Sequence, residues 1–422
     1  MTSVYKLGGT SQCKTGYDKL INIIKNNSLN KFYIVLSAVS GVTNNLVKFT
    51  ETKDHTYIDA VIKLNKKLIA ELDIDPLFFD YISSDLIDLC KKYTESFDMS
   101  DIYAKSEIIG YGEIMSTNIL HMYFILNDID NRLLDSYNYI FSKREIYQCN
   151  SQTEFYCEED ILQINTSSNV FILQGFIGST PSGKTIILGR GGSDTTGALV
   201  AKTINSKVYE VWTDVDGIYT GDPRVFKDSF QIKQIDYDLC QELSAMGAKV
   251  MHPLSIKPCA DVNIPIIVRN TFSNAEGTTI SNEKTNETFY AIQKSQTVFK
   301  IKSLDMWNSY GFITDIFRRF SENRIDINIV TTSQFSISAT TSEINLYKLK
   351  EIKDILSEKY EVQMINDCTI FSIVKRNIKD ILNKLNFNLI DPEIIHISDN
   401  DMTLNIVLKD FDLDKILKMI NS

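Results

Sequence analysis

Ile186-Ile-Leu-Gly189-Arg190-Gly191-Gly192-Ser193-Asp194-Thr-Thr-Gly197-Ala198 is the stretch on which the fold turns. Thr185 to Leu188 is a short apolar run of strand character, and Asp194 to Ile204 reads as a helix built on small residues. The glycines stand where strand becomes helix. Without a Cβ, Gly189, Gly191 and Gly192 let the backbone turn sharply and lie close to a ligand, and Ser193 or Asp194 can cap the helix. Free N–H groups at a positive helix end suit a phosphate, and Arg190 sets a planar donor fork beside them. An ordinary glycine-rich turn ahead of a capped helix accounts for the same residues. The rest of the chain has to decide.

Working outward, the same unit recurs at the amino end. Val4 to Leu7 is an apolar strand, Gly8-Gly9-Thr10-Ser11 a loop, and Gly16 to Ile24 an amphipathic helix. Lys6, just before the loop, is placed to reach a phosphate, although taken singly a surface lysine on an edge strand is the commoner occurrence. Phe32 to Leu36 is a third strand, followed by Ser37-Ala-Val-Ser-Gly41-Val-Thr43-Asn. Lys207 to Trp212 is another, followed by a polar loop running from Thr213 and Asp214 through Tyr219 to Arg224. Ile264 to Arg269 is the last strand of this part. In α/β proteins, loops at the carboxyl ends of strands form the ligand crevice.

Between these strands the periodicity is helical. Lys53 to Asp98 is expected to be an inserted lid, about 53–98, and Ala104 to Leu126 is a longer helix. The latter carries Glu113 on an apolar face, where a carboxylate needs a cation unless it is a solvated surface residue. Leu239 to Val250 reads as a helix with Lys249 near its carboxyl end, a position the helix dipole favours in any case. Gly178 to Thr185 matches the phosphate-loop expression GxxxxGK[ST] letter for letter. That expression works only where a helix begins at Lys-Thr, and here Ile186 to Leu188 continue as strand, so Pro181-Ser-Gly183 is expected to be a hairpin turn.

After the polar segment Asn282 to Thr288 the order becomes strand, helix, strand, strand, helix, strand. The elements are Val298 to Leu304, Gly311 to Ser321, Ile325 to Val330, Phe335 to Thr340 and Leu346 to Ser357. A terser repeat follows in Thr369 to Val374, Ile378 to Leu385, Glu393 to Ile397 and Thr403 to Leu408. Two small α+β modules thus follow a large α/β domain whose open, mainly parallel sheet lies between helices.

With 422 residues, 43% hydrophobic and 23% charged, the chain has the composition of a globular protein of two or three domains. A net charge of −10 gives no global field for nucleic acid or an anionic membrane surface. Seven scattered cysteines without a CxxC pair fit reduced thiols. The amino end lacks an apolar signal core and no stretch is long enough for a membrane helix, so a cytoplasmic protein is expected.

In combination, seven motifs in order resemble the aspartokinases of the amino-acid kinase family. They are Val4 to Ser11, Leu36 to Asn44, Gly112 to Thr117, Gly175 to Gly178, Leu188 to Asp194, Trp212 to Arg224 and Gly247 to Pro253. The tail, with Gly311-Phe312-Ile313 and Thr331-Thr332-Ser333, resembles that family's paired ACT regulatory modules. Leu7 and Gly197 depart from the usual phenylalanine and alanine. The resemblance implies a catalytic domain over 1–283 and tandem ACT domains over 284–422, the first about 302–366, the second about 284–301 plus 367–422. The end at Ser422 leads to the expectation of no fused homoserine dehydrogenase.

The implied reaction is ATP plus L-aspartate giving ADP and 4-phospho-L-aspartate, with Mg2+ accompanying ATP and no metal held by the chain itself. An aspartate side chain is ionised at neutral pH, so the nucleophile needs no general base. Carried over residue by residue, Lys6, Asp194, Lys249 and Arg190 are the catalytic set. Ser37, Thr43, Glu113, Phe176, Arg190 and Gly191 would contact aspartate, with Arg190 on the α-carboxylate and Glu113 on the α-ammonium. ATP would lie against Lys6, Gly8, Gly9, Ser11, Gly192, Ser193, Thr213, Asp214, Tyr219, Arg224 and Lys249. An amino-acid effector, lysine or alternatively threonine, would bind near Met306, Trp307, Ser309, Phe312, Ile313, Asn328 and Gln334. A homodimer or tetramer is implied, with no nucleic acid or membrane partner. A glutamate or acetylglutamate kinase, or an inactive amino-acid sensor keeping the ACT modules, are the competing readings. An acetylated amine would not need Glu113.

Overall fold

The structure, a computed structural model, describes residues 1–95, 101–146, 153–162, 164, 167–248, 251–303, 310–382, 394–409, 412 and 416. The chain divides into two compact units. The first comprises Met1–Ile218, Gln231–Gln241 and Lys249–Lys284, and the second Tyr219–Phe230, Glu242–Ala248 and Thr285–Ser422. The last division falls between Lys284 and Thr285, and two short segments upstream of it fold with the second unit.

In the first unit the chain runs β1 (Thr2–Leu7), α1 (Lys14–Asn26), β2 (Lys31–Leu36), α2 (Val42–Thr52), α3 (Thr56–Glu71), α4 (Pro76–Glu95) and α5 (Ile102–Leu126). It continues through β3 (Arg132–Leu134), β4 (Ile140–Ser142), β5 (Phe155–Cys157), β6 (Val170–Gln174), β7 (Ile177–Ser179), β8 (Thr185–Ile187), α6 (Gly192–Thr203), β9 (Tyr209–Thr213) and β10 (Gln234–Asp236). Then come α7 (Tyr237–Ala245), within which the chain passes between units, α8 (Pro253–Ala260), β11 (Ile266–Asn270) and β12 (Thr278–Ser281). Eight strands form one sheet in the order β10-β12-β11-β9-β1-β2-β6-β3, parallel except where β12 meets β11. β1 and β2 are near-continuous apolar runs because a central parallel strand is covered on both faces.

The segment expected to be a lid is a packed layer. Ile58, Val61, Leu68, Phe79, Leu86 and Tyr93 of α3 and α4 share one apolar cluster with Leu7, Leu36, Leu46 and Phe49. Helix α5 is buried on most of its circumference, which its apolar composition requires. A smaller sheet, β5-β4-β7-β8, contains the rejected phosphate-loop match: β7 and β8 pair antiparallel, and the Thr180 N–H donates to the Lys184 carbonyl across a turn with Gly183 at φ +74°. Among the described residues no helix is long and apolar enough to cross a membrane.

The second unit contains β13 (Phe289–Lys302), α9 (Phe312–Glu322), β14 (Val330–Thr332), β15 (Ser336–Thr341), α10 (Leu346–Ser357), β16 (Glu361–Val374), α11 (Lys379–Leu382), β17 (Ile394–Asp399) and β18 (Thr403–Leu408). All six strands form one antiparallel sheet, β14-β15-β13-β16-β18-β17. The long strands β13 and β16 belong to both halves of it. Thr297 to Lys302 pairs with β15, whereas Phe289 to Gln293 pairs with the carboxyl half of β16. The sequence reading starts this strand at Val298, whereas it begins at Phe289 and runs through a register shift near Ser295, which lies at φ +58°. It also extends a strand over Ile325 to Val330, where only Val330 onward pairs. This mixed architecture, with a parallel sheet between helices and a separate antiparallel sheet, is compatible with paired ACT modules.

Candidate active site

The site forms where the strand order of the large sheet reverses, at the carboxyl ends of β9, β1 and β2, the usual ligand crevice of open α/β sheets. Lys6 lies on β1 opposite Val35 and Val211. Its Nζ is 2.7 Å from Asp194 Oδ1 at the start of α6, with both side chains largely buried. A paired charge of this kind survives enclosure because each partner replaces the other's water. A Cβ on Gly8 would stand 3.7 Å from that Nζ and 3.3 Å from the Trp212 carbonyl, so the ammonium lies over bare backbone.

The loop after β2 closes against the loop after β1. The Ser40 N–H donates to the Gly9 carbonyl at 3.2 Å, and a Cβ on Gly9 would lie 2.8 Å from the Ala38 carbonyl oxygen. Helix α5 comes in as closely: a Cβ on Gly112 would lie 2.8 Å from the Ala38 Cβ. That approach buries Glu113, which is 2% exposed. Its Oε1 accepts the Ala38 N–H at 3.0 Å, while Oε2 is buried without a hydrogen-bond partner among the described residues. Burial pushes the carboxyl up to about 8, against the opposing pull of the Ala38 N–H and the Lys6 ammonium. Ser37 and Thr43, both half-buried, belong to this loop and to the first turn of α2.

The opening stretch folds as strand, glycine turn and helix, but neither Ser193 nor Asp194 caps α6. The N-cap is Gly191 at φ +66°, without a side-chain cap. Ser193 is buried, and a Cβ on Gly175 would lie 2.6 Å from its Cβ; Asp194 is engaged by Lys6. Phe176 holds a left-handed backbone at φ +68°, rare for a bulky residue. Its N–H donates to Thr196 Oγ1 at 3.1 Å, and a Cβ on Gly192 would press on its ring at 2.6 Å. Arg190 is exposed on the turn.

His252, which the sequence reading passes over inside a matched motif, packs directly on Gly191. Burial holds its imidazole below the usual range, with Asp194 raising and Arg190 lowering it, which places all three side chains in one electrostatic neighbourhood. The signal for it was only its position just after Lys249.

Several expected residues have partners within the protein. Both donors of Ser11 are taken inside the protein: its N–H by the Gly8 carbonyl, and its hydroxyl by the Trp212 carbonyl at 3.2 Å and Thr271 Oγ1 at 2.6 Å. Ser11 therefore shapes the loop. Thr213 ends β9 and Asp214 follows it, with the Thr213 Oγ1 donating to Asp214 Oδ1 at 3.3 Å. Tyr219 and Arg224 fold with the second unit, where the exposed Arg224 guanidinium is held by both oxygens of Asp222 at 2.9 and 2.7 Å. Lys249, Met306, Trp307 and Ser309 lie outside the described residues. In the second unit Gly311 caps α9 at φ +83°, Phe312 packs partly into the module core, and Ile313 and Gln334 are exposed. Asn328 Nδ2 donates to Gln296 Oε1 at 2.7 Å.

Among the described residues no group of three His, Cys, Asp or Glu side chains could hold a metal ion.

A family model for the amino acid kinase family matches residues 1–270. The lysine-sensitive aspartokinase 3 of Escherichia coli K12 is 29% identical over 349 residues, covering 80% of this chain and 77% of that protein. The aspartokinase of Rickettsia felis is 29% identical over 442 residues, covering 98% and 96%. The crystal structure of E. coli aspartokinase III with aspartate and ADP superimposes with a TM-score of 0.80 at 25% identity, covering 97% of this chain and 96% of that one. With a lysine, its paired aspartate and bare backbone converging at the strand ends, and with these matches, the chain belongs to the amino acid kinase family, resembles its aspartokinases along its length, and is an ATP-dependent kinase.

Proposed function

We propose that the chain phosphorylates the side-chain carboxylate of L-aspartate with Mg-ATP, giving 4-phospho-L-aspartate for lysine, threonine and methionine synthesis. The observation that carries this reading is Glu113. A buried carboxylate with one oxygen satisfied and the other free, beside the Lys6–Asp194 pair, is a socket for an ammonium group. An acetylated amine would leave it unanswered.

The substrate carboxylate is its own nucleophile, so the protein's work is to position two anions and offset moving charge. Lys6 turns toward the phosphates, and Asp194 keeps it aligned. Arg190 grips the α-carboxylate with two parallel donors, beside His252 and the first-turn N–H groups of α6. Lys249 joins Lys6 on the phosphates. The E. coli relative crystallised with aspartate and ADP supports this pair of ligands.

Feedback inhibition by lysine at the Gly311 turn belongs to the same proposal, supported by the lysine-sensitive E. coli relative. The exposed Tyr310, Ile313 and Phe335 support self-association of that module as a homodimer or higher oligomer.

The test is hydroxylamine trapping. With Mg-ATP, L-aspartate should give a hydroxamate and stoichiometric ADP while glutamate and N-acetylglutamate do not, and lysine should suppress the signal more than threonine. Equal ADP release on glutamate, or none on aspartate, rejects the substrate. Indifference to lysine rejects the effector alone.

A further inference from the structure

We propose that Glu210 and Arg269 are positioning residues for the nucleotide loop Gly8-Gly9, acting through Trp212. The inference rests on the assignment of that loop to the ATP phosphates.

Glu210 and Trp212 are two apart on β9 and share one face of the strand. Glu210 is almost fully buried, in the middle of the large sheet, where an isolated carboxylate is costly. One of its oxygens meets a donor and a cation: the Trp212 indole N–H donates to Oε2 at 3.0 Å, and Arg269, from neighbouring β11, pairs with the same atom as an ion pair, its Nε at 3.1 Å. The indole is thus held by a neutralised carboxylate, and Tyr5 of β1 meets it edge-on with ring centroids 6.0 Å apart. Such a buried pair is poor evidence for stability, since apolar residues of the same volume serve as well. Its place beneath a ligand loop calls for another account.

The backbone of Trp212 supplies one. Its carbonyl accepts the Gly8 N–H at 2.9 Å and the Ser11 hydroxyl at 3.2 Å, so one oxygen fastens both ends of the Gly8–Ser11 loop. A side chain locked by Glu210 and Arg269 fixes where that oxygen points. The chain of contacts runs from Arg269 to Glu210, to the Trp212 indole, to the Trp212 carbonyl, to Gly8, and ends under the Lys6 ammonium. None of the first three belongs to the loop assigned to the nucleotide.

The test is ADP affinity by calorimetry on the full chain, with aspartate KM measured alongside. Glu210→Gln keeps an acceptor for the indole but loses the ion pair; Trp212→Phe keeps the ring but loses the N–H. Each should weaken ADP about 3- to 10-fold, the effect of one or two hydrogen bonds, with aspartate KM unchanged within about twofold. The double variant should be no weaker than the worse single, because both act along one path. Gly9→Ala tests the loop itself and should weaken ADP more than either. Normal ADP binding by Glu210→Gln and Trp212→Phe, with Gly9→Ala impaired, overturns the positioning role alone, as does simple additivity of the double. Normal binding by Gly9→Ala overturns the loop assignment and the inference with it. If Glu210→Gln fails to fold, Trp212→Phe decides.

Discussion

Glu113 shows how one side chain links burial to chemistry. Its carboxyl ionises near 4.5 in an open chain but only at about 8 in the fold, because burial outweighs the Ala38 N–H and the Lys6 ammonium. Between those values the folded chain holds a proton that the unfolded chain has released. Stability therefore falls as pH rises through this window and levels off above about 8. Glu113→Gln, which never ionises, should gain on the wild type in thermal melts as pH is raised from 5 to 8.5, the two converging at the acid end. The same group must be charged to hold an α-ammonium. Wild-type KM for aspartate should accordingly fall toward pH 8, while Glu113→Gln shows a higher and flat profile. Parallel profiles would remove Glu113 from the substrate.

At the scale of an element, the start of α6 is a tolerance problem. Gly191 holds the left-handed N-cap, and any Cβ there strikes the His252 side chain. Further along the helix, a Cβ on Gly197 would lie 2.5 Å from the Tyr209 hydroxyl, which donates to the Asp194 carbonyl at 2.9 Å. The glycine that departs from the family's usual alanine is thus matched to a tyrosine filling the alanine's space. Gly197→Ala should cost about 1–3 kcal/mol by overpacking, and Gly191→Ala about as much through backbone strain and collision. In denaturant titrations, Tyr209→Phe should recover part of the Gly197→Ala loss and none of the Gly191→Ala loss. Equal recovery would mean the tyrosine is not what fills the space.

At the scale of the molecule, the chain does not divide cleanly at residue 284. Tyr219–Phe230 and Glu242–Ala248 belong with the second unit. There the Phe226 ring stacks on Tyr290 at 5.5 Å and packs with Phe371, in a cluster that includes Ile373, Leu404 and Ile406. A fragment of residues 1–284 retains Phe226 and Val225 but loses Tyr290, Phe371 and the rest of the apolar cluster they belong to. Size exclusion with light scattering should find it associated, and changing Val225 and Phe226 to aspartate in the fragment should make it monodisperse. A monodisperse unaltered fragment would show that these side chains find other cover.

The sequence by itself determined the elements and their chemistry wherever neighbours along the chain suffice. Leu346–Ser357 and Thr403–Leu408 fold with the boundaries their periodicity indicates, Lys6 precedes its glycine loop, and the false phosphate loop is a hairpin because strand residues follow its lysine. Only the tertiary structure decided which loops meet. Lys6 finds Asp194, and Glu113 loses its water to Ala38; Ser11 spends its hydroxyl on Trp212 and Thr271, His252 arrives against Gly191, and the expected lid joins the core. The reason is physical: helical and strand periodicity report a residue's surroundings over a few positions, whereas burial, pairing and ionisation depend on segments that sheet order alone brings together.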